Sequence, residues 1–192
     1  IAGILTAYML EKSGVKYILA EKDKICGMTT KNTTAKITFQ HGMIYDRLIN
    51  SLGETKAKLF LEAQSLALEE YAKLCQNIDC DFKRSASVVY SLDNREKAEK
   101  EVLALNRLGV KAEFKKNIPL PFEIAGAVKI GNQAEFNPLK FLFSISKGLK
   151  IYENTKVTAI EGNCAVTENG KIYANKIIVT THFPFIDKYG GY

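Results

Sequence analysis

The chain has 192 residues, enough for one ordinary domain or two small interleaved ones. It is 46% hydrophobic and 25% charged, the composition of a globular protein. Its net charge of +6 comes from lysines scattered without a stripe or interleaved aromatics, so no nucleic-acid partner is expected. No apolar run approaches the roughly 20 residues needed to cross a bilayer, and the N-terminus lacks the basic leader of a signal peptide.

Gly3 opens into a helix over residues 3–13 with apolar Ile4, Leu5, Ala7, Tyr8 and Leu10. Gly14 turns the chain into an expected short buried strand over 16–20 (KYILA), with Glu21 at its C-terminal end. Helix, strand and terminal acid form the tail of a nucleotide-binding βαβ unit. A glycine lets the backbone approach a pyrophosphate, and the helix N-terminus offers free N–H groups and a partial positive charge. A carboxylate about 20 residues further on accepts from a ribose hydroxyl. Only the last glycine of such a turn is represented, so the chain is expected to start inside the unit and to be a piece of a longer protein. An acid at position 21 also argues against a 2′-phosphate.

A polar loop over 22–35 follows, whose threonines and lysines suit a diphosphate or the polar edge of a ring system. Residues 36–40 are expected to be extended, 44–52 a short helix and 54–77 a long packing helix. Residues 82–91 read as a strand, 93–108 as an amphipathic helix ending at Gly109, 110–115 as a strand and 124–130 as extended. This block looks like an inserted subdomain. Pro138 starts a helix to about Lys147, the first-turn position proline prefers. Short strands are expected at 149–152, 155–160, 163–167 and 171–174, with Asn169-Gly170 a hairpin signal. Residues 176–180 (KIIVT) read as a buried parallel strand that brings Thr180, Thr181 and His182 to the same strand ends as Gly3 and Glu21.

Cys26, Cys75, Cys80 and Cys164 include no CxxC pair, and no metal site is expected. The thiols read as reduced, in a cytoplasmic protein. His41 and His182 have no carboxylate or cysteine partner at catalytic spacing. Phe136, Phe141 and Phe143 read as core.

Taken in order, several segments resemble the FAD-dependent oxidoreductases of the glycine/D-amino-acid oxidase family. They are residues 3–10 (GILTAYML), 17–22 (YILAEK), 27–38 (GMTTKNTTAKIT), Asn137-Pro138 before a helix, Val157, and 177–181 (IIVTT). The segment 34–45 (TAKITFQHGMIY) looks like a subgroup some of whose members carry a C-terminal Rieske domain. The resemblance implies an α/β fold: a Rossmann-like FAD/NAD(P)-binding domain (residues 1–80 and 137–192) with part of an inserted α+β substrate domain (81–136). It implies FAD as cofactor, with Gly3 at the pyrophosphate turn, and Glu21 at the adenosine ribose with Lys22 beside it. Thr29, Thr30, Thr33, Thr34, Ala35 and Lys36 would lie along the diphosphate and the flavin ring. Val157 would offer its backbone to the adenine, and Thr180 and Thr181 would close the site. His41 and Tyr90 are the substrate-side candidates.

The activity implied is oxidation of the C–N bond of an amino acid or secondary amine by hydride transfer to flavin, with a small-molecule amine as partner. Against the family pattern, the first strand, the first two glycines and the later substrate sheet are missing, so weak flavin uptake is expected of this chain. The alternatives are a non-catalytic nucleotide-binding α/β module or another two-domain flavoprotein. A disulfide reductase is disfavoured by the missing CxxC after the first βαβ unit.

Overall fold

The computed structural model describes residues 1–181. The chain folds as two compact units, one made of residues 1–34 and 138–192, the other of residues 35–137.

In the first unit, α1 (Ala2–Lys12) buries Ile4 and Ala7. It ends at Ser13, and Gly14 follows at φ +67°, the left-handed turn that only glycine enters without strain. Strand β1 is limited to Leu19–Ala20. A single 3-10 turn (Thr29–Asn32) closes the polar loop after it.

The second unit begins with β2 (Lys36–Ile37), α2 (Tyr45–Leu52) and α3 (Glu54–Cys75). Gly53, at φ +82°, separates the two helices. Then come β3 (Lys83–Ser91), α4 (Arg95–Arg107), β4 (Ala112–Lys115) and β5 (Gly126–Glu135). Asn94 caps α4 by accepting from the Lys97 N–H at 2.8 Å.

Strand β5 is the centre of this sheet. It pairs antiparallel with β3 along one edge, and with β4 and β2 along the other. Strands β3 and β4 therefore run in the same direction with β5 between them: a split βαβ unit closed by α4. Gly126 is the point of closest approach, since a Cβ there would lie 2.6 Å from the Phe114 ring. The extended stretch expected at 124–130 is longer than its local pattern suggests. Asn132, at φ +55°, marks a bulge opposite the Ser85/Ser87 irregularity, past which the pairing resumes to Glu135.

The chain then returns to the first unit with α5 (Pro138–Ile145), which packs on α1 and on the 3-10 turn. Strand β6 (Ile151–Tyr152) pairs parallel with β1, the arrangement of a nucleotide-binding α/β fold. Strands β7 (Val157–Glu161), β8 (Cys164–Thr167) and β9 (Gly170–Tyr173) form a separate antiparallel meander, with the expected turns at Gly162 and Asn169-Gly170.

Two expectations are corrected, on residues 176–180 and on Phe143. Residues 176–180 form no strand, and Ile178 is 60% exposed. A parallel strand buried on both faces needs neighbours along its edges, and no described strand pairs with this segment. Residues 35–80 cluster with the antiparallel sheet in one compact unit, in which α2 packs on α3 and α4. Phe143 is half exposed, whereas Phe136 and Phe141 are core.

Candidate functional site

The first unit gathers most of the residues singled out in the sequence. Helix α1 starts with no side-chain cap and no acidic residue in its first turn. Its first amides are thus left for an external acceptor, and the helix dipole favours an anion there. Gly3 sits in that turn. A Cβ at this position would approach Thr180 Oγ1 to 2.9 Å and Leu19 Cδ1 to 3.3 Å. Thr180 is therefore beside Gly3, as the sequence requires, although its segment is not a strand.

The 3-10 turn is tied to the same end of α1. The Ile1 nitrogen donates to Thr30 Oγ1 at 3.1 Å. Thr30 is half buried, while Thr29, Thr33, Thr34 and Thr181 present their hydroxyls at the surface.

Glu21 follows β1 directly. Its Oε1 accepts the Asp23 N–H at 3.0 Å, and the carboxylate lies within electrostatic range of the Ile1 nitrogen and the Cys26 thiol. The carboxylate thus stands near the start of α1. Its neighbour Lys22 is exposed and paired with Asp23 at 3.6 Å.

The loop bearing Glu21 is fixed by the loop after β6. The Glu21 N–H donates to Tyr152 O at 2.9 Å, the Thr155 N–H to Glu21 O at 2.8 Å, and the Asn154 N–H to Asp23 O at 2.9 Å. Glu153 completes the clamp by accepting from Lys24 Nζ at 2.7 Å and from the Ile25 N–H at 2.8 Å. The Lys24 hydrogen bond and then the Ile25 amide hold the Glu153 carboxyl below its usual pKa. Sequence reading missed Glu153; its signal was an acid directly after a short strand and before an Asn-Thr turn. Both loops lie past the C-terminal ends of parallel strands, where open α/β sheets bind ligands. Val157, at the start of β7, is half buried and pairs with Thr167.

The second unit holds the other candidates. Ala35 adopts φ +59°, and its carbonyl accepts the Phe136 N–H at 3.3 Å. Lys36 is exposed opposite Glu135. His41 is exposed, with Nε2 3.4 Å from Gln64 Oε1 on α3. Tyr90 is half exposed on β3, its ring 5.8 Å from that of Phe122. His182 lies outside the described residues. Among the described residues no three His, Cys, Asp or Glu side chains gather as for a metal ion, and no helix is long and apolar enough to cross a membrane.

The donor set of the first unit fits a dinucleotide. Uncapped helix amides and surface hydroxyls suit a diphosphate, a carboxylate at a strand end suits a diol, and a Cβ at position 3 would crowd the Thr180 hydroxyl at 2.9 Å.

Comparison with known proteins agrees. Residues 1–184 match the family model described as FAD dependent oxidoreductase. The chain is 34% identical over 205 residues to the "putative Rieske 2Fe-2S iron-sulfur protein YhfW" of Bacillus subtilis (strain 168), covering 100% of this chain and 40% of that protein. Among solved structures, glycine oxidase from Geobacillus kaustophilus superposes with a TM-score of 0.64 at 16% identity, over 90% of this chain and 50% of that one. L-proline dehydrogenase from P. horikoshii gives 0.58 at 19%, over 88% and 47%. L-amino acid deaminase from Proteus vulgaris gives 0.56 at 18%, over 89% and 43%. At these identities the structures show the shared fold, and the chain spans half or less of each relative's length. The family match covers nearly the whole sequence, and the chain belongs to the FAD-dependent oxidoreductases.

Proposed function

We propose that this chain is part of an enzyme that oxidises the C–N bond of an amino acid or secondary amine by hydride transfer to FAD. The observation that carries the reading is the pairing of the Gly3-led, uncapped start of α1 with Glu21 at the end of β1. Gly3 and the first amides of α1 receive the pyrophosphate, and Glu21 accepts from the adenosine ribose, with Lys22 beside it. Thr29, Thr30, Thr33, Thr34, Ala35 and Lys36 supply hydroxyl, amide and cationic contacts along the diphosphate and ring. Val157 offers backbone to the adenine, while Thr180 and Thr181 close the pyrophosphate end. FAD, when bound, supplies the two-electron acceptor. His41 and Tyr90, in the unit carrying the antiparallel sheet, stand on the substrate side. Relatives named glycine oxidase, proline dehydrogenase and amino acid deaminase support a small amine or amino acid as substrate.

The test is flavin uptake by a version extended to the length of its relatives. It purifies yellow, or quenches FAD fluorescence stoichiometrically on titration. A colourless protein that takes up no FAD defeats the proposal and leaves a non-catalytic α/β module.

A further inference from the structure

Asparagine is a labile residue, and most so before glycine, which has no Cβ to shield its own backbone nitrogen from the side-chain amide. Asn169-Gly170 is the one such pair in the chain. It lies in the β8–β9 turn, where Gly170 is the last residue of the ladder and pairs with Thr167. Glu168, Asn169 and Gly170 are all exposed.

The local geometry leaves the Asn169 side chain free to react. Its backbone N–H donates to Thr167 Oγ1 at 3.3 Å, but no hydrogen bond among the described residues engages its side-chain amide. A Cβ placed on Gly170 would meet nothing within 4 Å, so there is open space beside the nitrogen that must be reached. Other asparagines followed by small residues are held. Asn50 lies inside α2, and the Thr155 N–H after Asn154 is donated to Glu21 O at 2.8 Å.

We propose that Asn169 is a site of spontaneous deamidation. The Gly170 nitrogen attacks Asn169 Cγ, a new C–N bond closes a five-membered imide, and ammonia leaves, carrying the proton of the Gly170 amide. Water then opens the imide at either carbonyl. One opening gives aspartate; the other gives isoaspartate, with the main chain rerouted through the former side-chain carbonyl. No oxidant, reductant or cofactor takes part. The net charge falls from +6 by one, and the new carboxylate stands next to Glu168. In the isoaspartate form the main chain is one methylene longer at the turn, which displaces Gly170 O from the Thr167 hydroxyl that donates to it at 2.9 Å.

The test keeps the folded chain at mildly alkaline pH and follows its tryptic peptides by mass and chromatography. Peptide 157–171 is expected to gain the mass difference between an amide and an acid and to split into two isomeric peaks. Peptides 48–56 and 151–156, which carry Asn50 and Asn154, keep their amides over the same time. Asn169→Ser abolishes the gain. If a synthetic peptide of residues 157–171 loses its amide while the folded chain does not, the turn protects Asn169 and the proposal is overturned. A gain that persists in Asn169→Ser overturns it as well, since the reaction then lies at Asn163.

Discussion

The two units are held together in different ways. Residues 35–137 are organised around β5, which has partners on both edges, and they contain most of the buried core, including Tyr45, Leu105, Ile130 and Val128. Burial pushes the Tyr45 phenol up and, with the neighbouring Cys80, the Cys75 thiol up to about 12. In the first unit the parallel pairing of β1 with β6 covers two residues on each strand, and the loops beyond it are joined by backbone hydrogen bonds and one exposed ion pair. The proposed pyrophosphate and ribose contacts at Gly3 and Glu21 thus fall on the unit with the shorter strand pairing, and most of the buried core falls on the other.

The largest effect expected from this contrast is at Glu101. Glu101→Ala leaves three amides at the start of α2 without their acceptor and is expected to cost about 3 kcal/mol, read from the urea unfolding midpoint. A loss below about 1 kcal/mol would mean that water replaces the carboxylate, and that the unit is less tightly sealed than its burial indicates.

A change in the first unit reverses the pattern. Glu21→Ala removes a half-buried carboxylate whose own protein partner is the Asp23 N–H, so the unfolding midpoint hardly moves. FAD affinity is expected to fall on the order of tenfold to a hundredfold, as for loss of a charge-assisted hydrogen bond. An unchanged Kd in a fluorescence titration would separate Glu21 from the ribose.

The same contrast explains what the sequence made legible. Helix ends came from local chemistry: Gly14 after α1, Gly109 after α4, Pro138 at the start of α5. Gly3 and Glu21 were readable because one helix and one strand fix their separation. Glu101 was not, because its amide partners lie 55 to 57 residues away. Residues 176–180 misled in the opposite sense. Their apolar run states a preference for burial, but pairing depends on neighbouring strands that a local pattern cannot reveal.

The smallest expected effect tests the clamp on the Glu21 loop. Glu153 holds Lys24 and the Ile25 amide, and its lowered pKa gives the sign of the pH dependence. A carboxyl whose folded pKa lies below its unfolded value of 4.5 stabilises fully above that value and loses the contribution as pH falls through the folded one. The clamp is therefore intact at neutral pH and released only in acid. Glu153→Gln reproduces the acid state at neutral pH: the ion pair disappears while a carbonyl oxygen remains to accept the Ile25 amide. Because Lys24 is exposed, salt and water already screen the pair, so FAD affinity is expected to change by less than about threefold. Wild-type affinity should show the same small loss only below pH 4.5. A large loss at neutral pH would mean that Glu153 bears directly on the cofactor, and that the first unit depends on one surface carboxylate as strongly as the second depends on a buried one.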